Sequence, residues 1–311
     1  MLFGDNLDNI LSGLGGNDTI FGRSGNDTLD GGDGNDFLIG GAGVDDYFGG
    51  AGIDRVQYQD IAVGLRVDLL VPGTNTGAAA GEIFDSIENL LGSTGNDTML
   101  GDNGANGLFG FNGNDTIFGR DGADMLDGGS GNDFLIGGAG VDSFNGGTGT
   151  DRVQYQDFST GFRIDLLSSG TNTGAAAGET YSSIENLLGS GGNDLLLGDN
   201  NSNDLFGFNG NDTLRGGVGN DSLNGGADND VLAGDSGVDR FVFNGVTFGD
   251  DTITDYALGD FIDLNAFAGV TFASLTIVDV TGGAEASFSA GSITLNGFTA
   301  AQVDATFFDF A

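Results

Sequence analysis

The chain has 311 residues, 62 of them glycine, and sets 46 acidic side chains against 8 basic ones. Its formal charge is −38 at pH 7, and it has no cysteine, histidine or tryptophan. The missing Cys and His exclude the usual zinc and haem ligand sets and any Ser-His-Asp or Cys-His nucleophile built within this chain. The charge argues against nucleic acid and anionic bilayers as partners, and no apolar run reaches the ~18 residues of a transmembrane segment.

Residues 1–57 keep a period of nine from Gly4 onward. The unit reads G-G-x-G-N-D-x-U-x, with U large and apolar, and GGDGNDFLI at 31–39 is its cleanest copy. Position 6 falls on Asn9, Asp18, Asp27, Asp36, Asp45 and Asp54, and position 8 on Leu11, Ile20, Leu29, Leu38, Tyr47 and Val56. Residues 58–91 break the phase. They contain two strand-like pieces, LRVDLL at 65–70 and SIENLL at 86–91, around the loop TNTGAAAG. Ile87, Leu90 and Leu91 follow a buried pattern, so an irregular continuation of the same coil is expected rather than a flexible linker.

The phase returns in 92–154, where position 6 holds Asp97, Asn106, Asp115, Asp124, Asp133, Asp142 and Asp151. A second spacer, 155–188, aligns without gaps to the first at an offset of 97. The third block, 189–242, gives Asp194, Asn203, Asp212, Asp221, Asp230 and Asp239. The asparagines Asn9, Asn106 and Asn203 are themselves 97 apart, so serial copies of one larger unit make up the chain. Met1-Leu2-Phe3 stand where Thr98-Met99-Leu100 stand one unit later, which leaves a piece of a longer protein and a natural start both open. Residues 243–311 carry the strand-like ASLTIVDV and SITLNGF, expected to cap the coil, and end in DATFFDFA.

A nine-residue repeat with one obligatory apolar residue is not helical, and glycine this dense would cost a helix about 1 kcal/mol per site. Each unit divides into a six-residue turn and a short x-U-x strand whose U side chain points inward. Two units make a coil of 18 residues, and coils stack about 4.8 Å apart as parallel sheet. The fold class expected is all-β: a parallel β-roll solenoid with a β-rich C-terminal cap.

The apolar seam is thin, and so much glycine is costly to order. Position-6 aspartates recur along each edge, with Asp18, Asp36 and Asp54 on one and Asp27 and Asp45 on the other. Bare carboxylates stacked this way repel. A hard divalent cation between them reverses the sign, and Ca²⁺ suits the place because it accepts six to eight oxygens, backbone carbonyls included. Each site needs two turns one coil apart, which allows up to about 13 sites in the three blocks. The three asparagines are weaker candidates, and Asp251, Asp255 and Asp260 are further ones beyond the last repeat.

The tandem GGxGxDxUx pattern resembles the RTX (repeats-in-toxin, haemolysin-type calcium-binding repeat) family, secreted mainly by Gram-negative bacteria. The resemblance covers 1–57, 92–154 and 189–242. It implies a right-handed β-roll with Ca²⁺ in the turns, with Asp36, Asp45 and Asp54 as carboxylate ligands within 31–54. It also implies export to the extracellular space by type I secretion machinery, guided by an uncleaved C-terminal signal, for which DATFFDFA is the candidate. The alternative is that these residues form a simple apolar strand.

The family's metalloproteases need a histidine cluster and its lipases a histidine-assisted nucleophile, and this chain has no histidine. No enzyme is therefore expected. The expected role is a calcium-binding secreted module that stays unfolded where calcium is scarce and folds where it is millimolar. The alternatives are an adhesin or matrix protein that displays its surface to extracellular carbohydrate or a cell surface, and the non-catalytic C-terminal part of a larger secreted enzyme or toxin.

Overall fold

A computed structural model describes residues 1–245 and 247–310. Val246 and Ala311, both in the segment read above as cap and export signal, lie outside the described residues. Two compact units divide the chain: Met1–Arg152 with Thr180–Ile184, and Val153–Glu179 with Glu185–Ala311.

In the first unit the repeats wind as a β-roll. One sheet of nine strands takes every second repeat, running through Leu2–Phe3, Thr19–Ser24, Phe37–Ala42 and Arg55–Gln57 and on to Thr180–Ser182. The alternate repeats supply Ile10–Ser12, Thr28–Asp33, Asp46–Ala51 and Ile83–Asp85. All are parallel, with partners such as Ile20↔Leu38 and Leu29↔Tyr47 offset by 18 residues. That offset is the coil length read from the period. Position-8 side chains form the core: Ile20, Leu29, Leu38, Val56, Leu108, Ile117, Leu126 and Leu135 are fully buried.

The strands are longer than the expected x-U-x. Thr19–Ser24 and its neighbours run six residues, because positions 1 to 3 of the following repeat also pair with the coil beneath, as in Arg23↔Gly41 and Ser24↔Ala42. Position 2 sits in the left-handed region, at φ 101° for Gly41. Non-glycine residues accept it at Arg23 (82°) and Arg120 (80°), at a strain of about 1–2 kcal/mol each. Position 1 is glycine for a different reason. A Cβ on Gly31 would meet the Asp36 carboxylate and lie 2.7 Å from the Gly49 carbonyl oxygen of the next coil.

The first spacer continues the coil. Leu90 pairs with both Val56 and Leu108, Val67 pairs with Met99, and Phe84 pairs with Tyr47. Of SIENLL only Asn89–Leu91 is strand, because Ser86 takes a left-handed turn at φ 56°. Two short 3-10 turns follow, Pro72–Thr74 leading into TNTGAAAG and Gly77–Ala79 within it.

The second unit repeats this construction through Arg163–Asp165, Leu195–Leu197, Thr213–Val218 and Val231–Ser236, paired in parallel. Its end changes direction. Gly291–Asn296 joins Gly249–Ile253 in parallel, then Gly283–Phe288 and Thr276–Val280 follow antiparallel. Phe308–Asp309 adds in parallel to Phe261–Asp263, and Phe307 stacks on Tyr256 at 4.7 Å. Phe243, Phe248, Phe267 and Phe288 close the core here, with ring centroids 5.0–5.8 Å apart.

Candidate metal centres

The turn places each position-6 aspartate between two coils. Its Oδ1 accepts the backbone N–H of the position-6 residue one coil earlier. Along one edge Asp18 N–H donates to Asp36 and Asp36 N–H to Asp54, both at 2.7 Å, and along the other Asp27 N–H donates to Asp45 at 2.8 Å. The second block continues through Asp97→Asp115→Asp133→Asp151 and Asn106→Asp124→Asp142. The third runs Asp194→Asp212→Asp230→Asp251 and Asn203→Asp221→Asp239→Asp260. The two edges drawn from the period are therefore two continuous hydrogen-bonded ladders within each block.

The second oxygen of each carboxylate is left over. Oδ2 of Asp27, Asp36, Asp45, Asp54, Asp115, Asp124, Asp133, Asp142, Asp212, Asp221 and Asp230 is buried, and no donor reaches it. In the turns it faces position 1 of its own repeat, commonly beside the carbonyl of position 1 in the next coil. An ionised oxygen buried without a partner costs several kcal/mol. Burial, followed by like charges on neighbouring turns, pushes Asp45 and Asp124 up to about 6 and Asp115 up to about 7. Asp212 and Asp251 rise to about 8 by the same causes. A hard cation fits this donor set, since it takes carboxylate and carbonyl oxygens together and favours the ionised form. Among the described residues no three acidic side chains converge on one point. A cage here would draw its remaining oxygens from the backbone.

Several other candidates meet donors within the protein. Ser93 occupies position 2 and donates through N–H and Oγ to Asp97, at 2.6 and 2.7 Å; Ser190 does the same for Asp194. Asn106 Oδ1 accepts Asp102 N–H, and its Nδ2 donates to the Glu88 carbonyl. Asn203 matches it through Asp199 and Glu185, while Asn9 turns to Asp5. Asp18 lies 3.4 Å from the N-terminal ammonium. Asp239 is pushed up to about 6, chiefly by burial. In the tail, Asp251 and Asp260 take over the ladders, but Asp260 Oδ2 accepts Ala257 N–H and so ends its edge. Asp255 accepts Gly234 N–H and Asp235 N–H outside the ladders.

Three groups of residues escaped the sequence reading. Position-5 asparagines form an outer ladder in the opposite sense: Asn35 N–H donates to Asn17 Oδ1, and Ile53 N–H to Asn35 Oδ1. The recurring Asn before Asp was their signal. Glu82 and Glu88 replace aspartate at the spacer, accepting Asp45 N–H and Asp54 N–H. Their only signal was that glutamate is scarce and four of the five lie in the twin spacers. Tyr58 donates its hydroxyl to Glu82, as Tyr155 does to Glu179.

No curated protein matches the chain. Among solved structures, the extracellular lipase LipA from Serratia marcescens is similar at 20% identity and a TM-score of 0.32, over 70% of this chain and 40% of the lipase. The chain thus spans less than half of that protein's length. The RTX calcium-binding nonapeptide repeat matches residues 3–38, 24–56, 91–126, 118–153 and 206–241, which follow the three blocks. With the ninefold register, the parallel coils and the aspartate ladders, this identifies the repeat blocks as RTX calcium-binding nonapeptide repeats.

Proposed function

We propose that the chain is a secreted module that folds when Ca²⁺ fills the aspartate turns outside the cell. The observation that carries this reading is the row of buried Oδ2 atoms with no donor. The residues that would hold the ions are Asp27, Asp36, Asp54, Asp115, Asp124, Asp133, Asp212, Asp221 and Asp230, with turn carbonyls, while Asp45 and Asp142 meet an aromatic side chain where the next carbonyl would stand. Asp18, Asp151, Asp239 and Asp251 extend the ladders at their ends. Bound calcium would supply positive charge to oxygens that otherwise repel or protonate. The number of ions is bounded by the ladder steps, at most about 13 in the blocks.

Mass action then couples binding to folding. Without ions the 46 acidic side chains oppose compaction, which suits an unfolded chain moving through a type I secretion channel. Millimolar external calcium matches the weak affinity of extracellular sites. On this reading 243–311 caps the roll and carries the export signal, and 58–91 and 155–188 are coil rather than linker.

The test is far-UV circular dichroism during calcium titration, with chelator reversal and a magnesium control. Calcium should raise a β spectrum that chelator abolishes and that equal magnesium does not restore. A metal-stripped chain with the full spectrum, unchanged in spectrum and melting on adding calcium, would sink the proposal.

A further inference from the structure

The nonapeptide pattern stops at Gln57, yet one of its two edges does not end there. Asp54 is fully buried, and its Oδ1 accepts Asp36 N–H at 2.7 Å. Its Oδ2 is buried with no donor. In a regular turn the next coil would bring a position-1 glycine carbonyl and a position-6 aspartate. Here the spacer brings other residues to the same places. The Ser86 carbonyl stands at Gly49 where the Gly49 carbonyl stands at Gly31. Glu88 Oε2 accepts Asp54 N–H at 2.7 Å, as an aspartate Oδ1 would. Glu88 N–H and Asn89 N–H both return to the Asp54 carbonyl, at 3.2 and 2.9 Å, which docks the loop on the turn. Ser86 holds φ 56°, a strained angle for a side-chain-bearing residue, and that angle belongs to the turn that presents its carbonyl.

The other edge differs. At Gly40 the nearest groups are Asp45 Oδ2 and the Tyr47 hydroxyl, and at Gly137 they are Asp142 and the Phe144 ring. An aromatic side chain fills the place of the next carbonyl in both. Gly146 instead meets the Ser183 carbonyl and Asp151, so the first unit builds the carbonyl version twice.

We propose that Asp54, the Ser86 carbonyl and Glu88 form a further divalent-cation site outside the nonapeptide pattern, while the Asp45 edge is plugged by Tyr47. The proposal rests on the reading of the repeats as calcium cages. Two carboxylates and a carbonyl on a strained loop make an oxygen-only site for a hard cation of the calcium type, and not for a soft metal.

Anomalous diffraction from crystals of the full chain grown with calcium, and with terbium as a heavier substitute, locates the ions directly. The expected result is a peak touching Asp54, the Ser86 carbonyl and Glu88, with none between Asp45 and Tyr47. Peaks along the repeats but none at Asp54–Glu88 overturn this inference alone. No peak anywhere overturns it together with the reading it rests on. In solution, equilibrium dialysis with calcium should count one ion fewer for Glu88→Gln, whose amide oxygen still accepts Asp54 N–H. Tyr47→Phe should leave the count unchanged, and Asp36→Asn should lower it as a control within the repeats. An unchanged count for Glu88→Gln beside a lowered one for Asp36→Asn counts against the site.

Discussion

The repeat turns and the first spacer both bury aspartate, and they satisfy it in opposite ways. In the turns, Oδ1 meets one N–H and Oδ2 meets nothing. In the spacer, Asp68 receives both arms of Arg120, at 2.8 and 2.9 Å, and the N–H groups of Leu70 and Val71. Burial pushes the Asp68 carboxyl up, but Arg120 and those amides outweigh it and hold it below its ordinary value. The second spacer, aligned without gaps to the first, lacks the clamp. Asp165 pairs with Arg163 alone among arginines, and Gly217 stands where the repeat would place another Arg120. A buried carboxylate is thus settled by an arginine where position 2 of the neighbouring coil tolerates one, and on the proposed reading by an ion where the turn is all glycine.

Removing divalent ions should break this contrast most visibly. With several sites each worth about 2.7 kcal/mol at a hundredfold excess over Kd, chelation should unfold the repeats outright. Asp212→Asn sharpens the point, because its effect should change sign. Asparagine keeps the Oδ1 acceptor but removes a buried charge and a ligand, so the metal-stripped chain should keep more residual β signal while the calcium-loaded protein melts lower. Circular dichroism without calcium and melting curves with it test this, and a change in the same direction in both would refute it.

The pH response comes next in size. Asp212 and Asp251 stand at about 8 in the fold, raised by burial, against about 3.9 unfolded. The unfolded chain therefore holds fewer protons between about pH 4 and 8, and metal-stripped stability should fall as pH rises through that window. Asp68 works in the other direction. Its lowered carboxyl contributes stability above about pH 3.9, which is lost as pH falls through its folded value. The residual β signal of the stripped chain should thus grow from pH 8 toward 5, and a flat profile would refute the buried-anion account. Calcium affinity should weaken on the same acidification.

Arg120→Gly gives the first unit the residue its twin has at Gly217. The change relieves a left-handed arginine at φ 80° but strands Asp68, which is almost wholly buried. Losing charge-assisted bonds to a buried carboxylate costs roughly 3 kcal/mol, and the relieved strain returns about 1, so a net loss of about 2 kcal/mol is expected. Urea titration in saturating calcium reads it, and Arg120→Lys should recover only part, since lysine lacks the planar fork.

What the sequence made legible follows from the period. Coil length, the buried position-8 column and the two aspartate edges all come from counting by nine and eighteen, and Ile20↔Leu38 or Asp36→Asp54 needed nothing more. In the first spacer Leu90 and Leu91 are buried, as their pattern in the sequence indicates. Contacts that leave the period were not readable. Arg120 meets Asp68 across 52 residues, and Glu88 meets Asp54 across 34, distances set by loop geometry rather than by repeat spacing. The six-residue strands were missed because glycine at positions 1 and 2 reads as turn, although its backbone pairs with the next coil.

The smallest expected effect separates two tyrosines at one edge. Tyr58 donates to Glu82, a carboxyl pushed up to about 8 chiefly by burial, so Tyr58→Phe leaves a buried acceptor short of a donor and should cost about 1–2 kcal/mol. Tyr47 lies beside it and stacks on Phe84 at 5.3 Å, and in the same unit Phe144 stacks on Tyr181 at the same distance. The ring, not the hydroxyl, is what both places share. Tyr47→Phe should therefore shift the denaturant midpoint by less than about 1 kcal/mol. If Tyr47→Phe proved the costlier change, the hydroxyl's hydrogen bonds to Tyr58 and the Gly40 backbone would be holding the place, and the plugged edge would be a polar seal rather than an apolar one.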